Sequence, residues 1–202
     1  MEGDDVTIDI VNPDGSHAEM SGNGTRIAAA WLMSRTGSAT ARVHVGSRTV
    51  TVWRTDDGLY ESELGRVEVG APEVVDGVEL TPVSVGNPHA VVLGDPGRIV
   101  ELGPRLEGHQ RFPERTNVQV ARVERPGEVV ARVWERGVGE TSASGSSAVA
   151  VAAATHGDGE VVVHFPGGDL QVRLAEGKAW LTGPAEQLEE LPGSGREAGT
   201  DP

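Results

Sequence analysis

The chain has 202 residues, a formal net charge of −14 from 31 acidic and 17 basic side chains, 3% aromatic residues and no cysteine. Such acidity argues against a nucleic-acid groove or an anionic membrane surface, each of which needs clustered Lys and Arg. The missing thiols exclude disulfides, thiolate metal sites and thiol nucleophiles.

One lysine is present, Lys178, and its setting "AEGKAW" reads as a hairpin turn, a poor place for the Schiff base that pyridoxal phosphate requires. No apolar run approaches the length of about 18 residues that a membrane span needs, and the first residues lack the basic-then-apolar pattern of a secretion signal. A soluble, cytoplasmic protein of one large or two small domains is the expectation.

In chain order, "VTIDIV" (6–11) alternates like a strand and "NPDG" (12–15) supplies turn chemistry. "SGNGTRIAAAWLMSRTG" (21–37) reads as a buried helix that opens on Gly-Asn-Gly and closes at Gly37. Val-rich strands are expected over 41–54 and 59–69 around a "TDDG" turn, and "APEVVDG" (71–77) reads as a domain junction. "LTPVSVGNPHAVVLG" (80–94) reads as strand, turn, strand, and 115–124 pairs with 127–136 across Pro126-Gly127. A second small-residue helix is expected over about 145–155, ending near Gly157. A hairpin over 160–174, one more strand in "KAWLTG" and a disordered Gly/Pro-rich tail over 192–202 follow.

Two stretches echo one another. "EMSGNGTRIAAA" (19–30) and "SASGSSAVAVAAA" (142–154) each run from a Ser-Gly pair through small polar residues into an Ala-rich helix. A pseudo-symmetric pair of domains would set these helix starts face to face. Helix N-termini carry unpaired N–H groups and partial positive charge, so they hold carboxylates and phosphates. Asn12, Asn23, Asn87, Asn117, Glu135 and Arg136 stand in turns around them. Together they point to a polar ligand with charges at both ends, since an amide both donates and accepts. Ser144 lies outside any G-x-S-x-G elbow, because position 142 is serine. The six histidines show no metal-ligand spacing, and neither a P-loop nor a dinucleotide fingerprint is present.

"NPDGSHAEMSGNGTR" (12–26), "GNPHAVV" (86–92), "FPERTNVQ" (112–119), "ERGVGET" (135–141) and "PGGDLQV" (166–172) together resemble the diaminopimelate epimerase family, in order and in spacing, over most of residues 6–190. The resemblance implies an α+β fold of two pseudo-symmetric domains, each a curved, barrel-like sheet around a central helix, with the substrate between them. The domains would be 1–70, completed by 180–191, and 71–179. It implies racemisation of an amino-acid α-carbon without cofactor, one base on each face, in the route to lysine and peptidoglycan precursors. It also implies a small-molecule amino-acid substrate and a homodimer.

Residue by residue, the resemblance places Ser21 and Ser144 at the two base positions, with His89 and Glu135 tuning the bases. Asn12, Asn87, Asn117, Glu135 and Arg136 fall where the family binds substrate, and Gly22, Asn23, Gly145 and Ser146 where helix N-termini take the α-carboxylate.

The chain departs from the family twice. Both bases are cysteine in the family. A thiol titrates near 8.5 and a serine hydroxyl roughly five units higher, so forming the alkoxide costs about 7 kcal/mol more, a handicap of about 10⁵ in rate. A helix N-terminus offsets only about 0.3–2 kcal/mol of that. The family also carries a Gly-Asn-Asp-Phe loop upstream of "NPDG", whereas 11 residues precede Asn12 here, so an N-terminally truncated first domain is expected. Three readings follow: a diaminopimelate-type epimerase impaired by serine at both bases, a non-catalytic amino-acid-binding homologue, and a thiol-independent isomerase of the same superfamily.

Overall fold

The computed structural model describes residues 4–11, 15, 17 and 21–185. Its elements run β1 (Asp5–Ile8), α1 (Gly22–Thr36), β2 (Thr40–Val45), β3 (Arg48–Arg54), β4 (Tyr60–Arg66), β5 (Glu68–Val69), β6 (Glu73–Val75), β7 (Val78–Ser84) and β8 (Pro88–Leu93). A 3₁₀ turn (Pro96–Arg98) leads into α2 (Ile99–Glu107), β9 (Asn117–Arg125), β10 (Glu128–Glu135) and β11 (Gly139–Thr141). α3 (Gly145–Thr155), β12 (Gly159–Phe165), β13 (Gly168–Ala175) and β14 (Lys178–Gly183) complete the order. The fold is α+β and dominated by sheet. Among the described residues no helix is long and apolar enough to cross a membrane.

The sheet is continuous in the order β1-β2-β3-β4-β14-β13-β12-β10-β9-β8-β7-β5. Most neighbours are antiparallel. The parallel pairs β1/β2, β8/β9 and β10/β12 are each bridged by a helix, α1, α2 and α3 respectively. That is the connection parallel neighbours require, since a hairpin cannot join them. α1 packs on β1–β4, while α3 touches β7–β10 and β12–β14. β14 joins the two regions by pairing with β4 on one side and β13 on the other.

Period-2 alternation divides the strands around α3 between two cores. Val91, Ala121, Val129, Ala131 and Val133 face α3, whereas Ala90, Val92, Val118 and Val120 face Ile99, Leu102 and Leu106 of α2. With both faces covered, β8 and β9 read as unbroken apolar runs. α3 is buried over Gly145–Ala152, as expected for a helix with no polar stripe. α1 buries one face through Thr25, Arg26, Ala29, Leu32 and Met33 and leaves Ile27 and Trp31 exposed.

Several elements differ from the sequence reading. The strand expected over 41–54 is two strands turning at Gly46, whose φ of +55° lies in the left-handed region that glycine tolerates. "APEVVDG" carries a hairpin that the sequence reading did not resolve: β6 pairs with β7 through a turn with Asp76 at φ +50° and Gly77 at φ +73°. This is the pattern of a tight hairpin with both central residues left-handed. α2 was not anticipated, although Ile99, Leu102 and Leu106 recur at helical spacing, because the internal Pro104 and Gly103 mask that signal. Gly103 lets the helix press on Trp134, whose Cγ lies 2.6 Å from where a Cβ would stand. The expected tail over 192–202 lies outside the described residues.

Candidate active site

The helix starts that echo one another in sequence meet in space. A Cβ on Gly22 would lie 3.0 Å from Gly145 Cα, and one on Gly145 would lie 3.0 Å from Gly22 Cα and 2.6 Å from Leu181 Cδ2. Only glycine fits at either position without displacing backbone. Ser21 and Ser144, one residue before this contact, are the N-caps of α1 and α3, both extended (φ −138°, ψ 118° and φ −143°, ψ 127°). Neither helix has an acidic residue in its first turn, so the partial positive charges of the two ends are uncompensated there.

The two serines differ in their bonds. Ser21 Oγ accepts from Gly24 N–H at 3.0 Å, the ordinary cap. Ser144 is 5% exposed and makes no side-chain cap, so its hydroxyl is not committed to its own helix. Asn23 ties the starts together by donating from Nδ2 to the Ala143 carbonyl at 3.2 Å. Arg26 holds the other end of that amide with a 2.9 Å bond to Asn23 Oδ1, and donates to the Gly22 and Pro184 carbonyls. Burial pushes the Arg26 guanidinium down to about 10, which leaves it charged at neutral pH. Asn23 and Arg26 line a hollow of about 260 Å³ with Ser142, Ala143 and Asp169.

A second polar group stands on the strand face that covers α3. His89, on β8, is 1% exposed. Its Nε2 lies 3.0 Å from Asn87 Oδ1 and its Nδ1 3.0 Å from Gln119 Nε2, which also donates to Ser147 Oγ at 2.9 Å. Burial, aided by the Arg136 charge, pushes the imidazole down to about 3, so it is neutral near pH 7. Asn87 and His89 line a cleft of about 570 Å³ together with Ser84, Arg111, Phe112 and Glu114.

Asn117, beside His89 in the β8/β9 register, accepts the Arg136 N–H at 3.0 Å and donates to the Pro88 carbonyl at 2.9 Å. Arg136 also reaches the Glu114 carbonyl at 3.2 Å. The turn that carries Arg136 is held by Glu107, at the end of α2, which accepts from Gly137 N–H at 2.8 Å and Trp134 Nε1–H at 2.7 Å and pairs with Arg115. Burial raises the Glu107 pKa, but these donors outweigh it and hold the carboxyl below its ordinary value. Glu135 accepts from the Thr141 hydroxyl at 2.6 Å.

The structure thus joins Gly22, Asn23 and Gly145 at the helix contact, His89 with Asn87 through a direct bond, and Asn117 with Arg136. Ser146 is buried in the first turn of α3. Asn12 lies outside the described residues.

With this geometry in place, likeness to known proteins acquires meaning. A family model described as diaminopimelate epimerase matches residues 81–188. The diaminopimelate epimerase of Pelotomaculum thermopropionicum is 38% identical over 216 residues, spanning 91% of this chain and 77% of that one. The chain belongs to the diaminopimelate epimerase family.

Solved structures agree on the architecture of this family member. A predicted epimerase from Pseudomonas aeruginosa superimposes with a TM-score of 0.65 at 21% identity, covering 90% of this chain and 77% of that one. A hydroxyproline epimerase from Agrobacterium vitis, solved with trans-4-hydroxy-L-proline, gives 0.65 at 15% identity over 87% and 66%. At such identities the likeness is one of fold.

For this family member, reading the sequence missed Arg26, Glu107, Gln119 and Ser147. Gln119 carried a usable signal: in "NVQVARV" it falls two residues after Asn117, on the same strand face, between valines. Glu107 carried none, since its partners Arg115, Trp134 and Gly137 are distant in sequence and α2 itself went unread.

Proposed function

We propose that the chain is a cofactor-independent amino-acid epimerase of the diaminopimelate type, interconverting LL- and meso-diaminopimelate by moving the α-proton from one face of the carbon to the other. The observation that carries this reading is the Gly22–Gly145 contact, which brings together two helix starts with serine at the N-cap position. Free N–H groups at the helix ends would hold the α-carboxylate. Ser21 and Ser144 would stand on opposite sides of the α-carbon, one taking the proton and the other returning one. Asn12, Asn87, Asn117, Glu135 and Arg136 would hold the polar ends of the substrate. This division of labour fits a chain of two halves, 1–70 with 180–191 and 71–179, acting in the cytoplasm as a homodimer.

Serine makes the proton transfer slow, by the acidity difference already given. The test is proton NMR of meso- and LL-diaminopimelate in D₂O with the protein, followed over days. Loss of the α-proton signal above a protein-free control supports the reading, and an unchanged signal counts against catalysis by this chain.

A second reading, a binding protein without turnover, is favoured by one observation: the chain has no thiol to act as base. It predicts saturable heat on calorimetric titration with diaminopimelate together with an unchanged α-proton signal. A thiol-independent isomerase of the superfamily would instead keep its activity in Ser144→Ala.

A further inference from the structure

Gln119 lies on β9 with no exposed surface and takes no part in the chemistry outlined above. Its amide nitrogen makes two bonds, to His89 Nδ1 and Ser147 Oγ, while its carbonyl oxygen is buried without a hydrogen-bond partner among the described residues. In the structure the amide spends both donors, on His89 and Ser147, and leaves one acceptor over. Because the amide nitrogen only donates, His89 Nδ1 must accept, and the ring proton sits on Nε2. That proton points at Asn87 Oδ1. Asn87 thereby spends its acceptor on the protein interior, and its NH₂ remains at the cleft of about 570 Å³ that Asn87 lines.

We propose that Gln119 is a positioning residue that sets the hydrogen-bond polarity of this chain from Ser147 through His89 to Asn87, so that Asn87 presents donors to a ligand carboxylate. The proposal rests on reading Asn87 as a ligand-binding residue. It explains why an amide is buried among valines at the cost of an unpaired carbonyl: a residue offering only acceptors would reverse the imidazole and turn Asn87 carbonyl-outward. It also couples the ligand-facing amide to the first turn of α3, where Ser147 is fully buried. The charged side chain that bears on His89 is Arg136, which opposes a second ring proton and so reinforces a single neutral tautomer.

The test is long-range proton–nitrogen NMR of the protein labelled with ¹⁵N-histidine, which separates the two tautomers, with His89 assigned by the signal that His89→Gln removes. The expected wild-type result is an Nε2–H ring that does not titrate between pH 5.5 and 8.5. In Gln119→Glu, read at a pH where the ¹³C shift of the introduced carboxyl shows it ionised and so accepting only, the proton should move to Nδ1, and binding of meso-diaminopimelate, followed by calorimetry at that pH, should weaken about tenfold. An Nδ1–H or doubly protonated wild-type ring overturns the proposal, as does a Gln119→Glu variant that keeps Nε2–H with its new carboxyl ionised. Should that variant fail to fold, the wild-type tautomer alone decides. An Nε2–H ring in a protein that binds no diaminopimelate would uphold the positioning and sink the substrate reading instead.

Discussion

The first turns of α1 and α3 share a sequence pattern and touch each other, yet they are built differently. The α1 start is tied down by local bonds: Ser21 caps Gly24, Thr25 Oγ1 donates to the Ser21 carbonyl at 2.9 Å, and the far face of the helix meets solvent at Ile27 and Trp31. The α3 start is held by its surroundings. Ser144 makes no cap, Ser147 is anchored from a neighbouring strand by Gln119, and the helix is enclosed from Gly145 to Ala152. A helix that is partly exposed needs its own cap, whereas one wrapped in sheet is fixed by packing and can leave a hydroxyl and its N–H groups to a ligand.

The most severe way to break this comparison is to restore thiols. The double variant Ser21→Cys/Ser144→Cys should raise α-proton exchange in D₂O by up to about 10⁵-fold, the acidity difference expressed as a rate. Equal rates in the double variant and the wild type would remove proton transfer at these positions from the account. Next in size is the contact itself. Gly145→Ala should destabilise by about 1–3 kcal/mol, since its methyl meets Leu181 and the Gly22 backbone. Gly24→Ala, whose nearest contacts are at 3.3 Å, should change stability far less. Denaturant titration of both variants ranks them, and the reverse order would mean that the helix starts are not pressed together.

Acid should act on the α3 side. His89 is neutral when folded down to about pH 3 but takes a proton near 6.5 when unfolded, so its contribution is whole above pH 6.5 and falls as pH drops. The slope is about 1.4 kcal/mol per pH unit for one proton. Between pH 6.5 and 5 the stability of His89→Gln should therefore decline less than that of the wild type. Glu107 has the same sign at lower pH: its folded pKa is depressed, so the brace on the Arg136 turn is lost as pH falls below 4.5, which amide exchange at Gly137 would report. The smallest effect concerns the caps. Ser21→Ala should cost about 1 kcal/mol in denaturant, and Ser144→Ala less than half of that, because only Ser21 bonds to its own helix.

How much of this was legible beforehand depended on whether a signal was local. The bounds of α1 were written in Ser21 and Gly37, its N-cap and C-cap. The hairpins β7/β8, β9/β10 and β12/β13 followed from alternation and turn residues. The meeting of the helix starts was suggested by repeated Ser-Gly pairs, but the reason for glycine at both, mutual contact beneath Leu181, required the fold. α2 was hidden by Pro104, and the split of 41–54 into β2 and β3 by an unbroken Val-rich pattern across Gly46. Bonds between residues far apart in sequence, such as Asn23 with Ala143 or Glu107 with Gly137, left no mark that a single sequence could carry.

β14 has a mechanical consequence. It is hydrogen-bonded along both edges, to β4 of the region around α1 and to β13 of the region around α3, and the apolar core that it helps to build runs without a break from Met33 to Val151. Sliding one region past the other would shear a ladder on either side of a six-residue strand. The two helix starts therefore cannot slide past one another without breaking a ladder, and heat should melt both regions in one cooperative step.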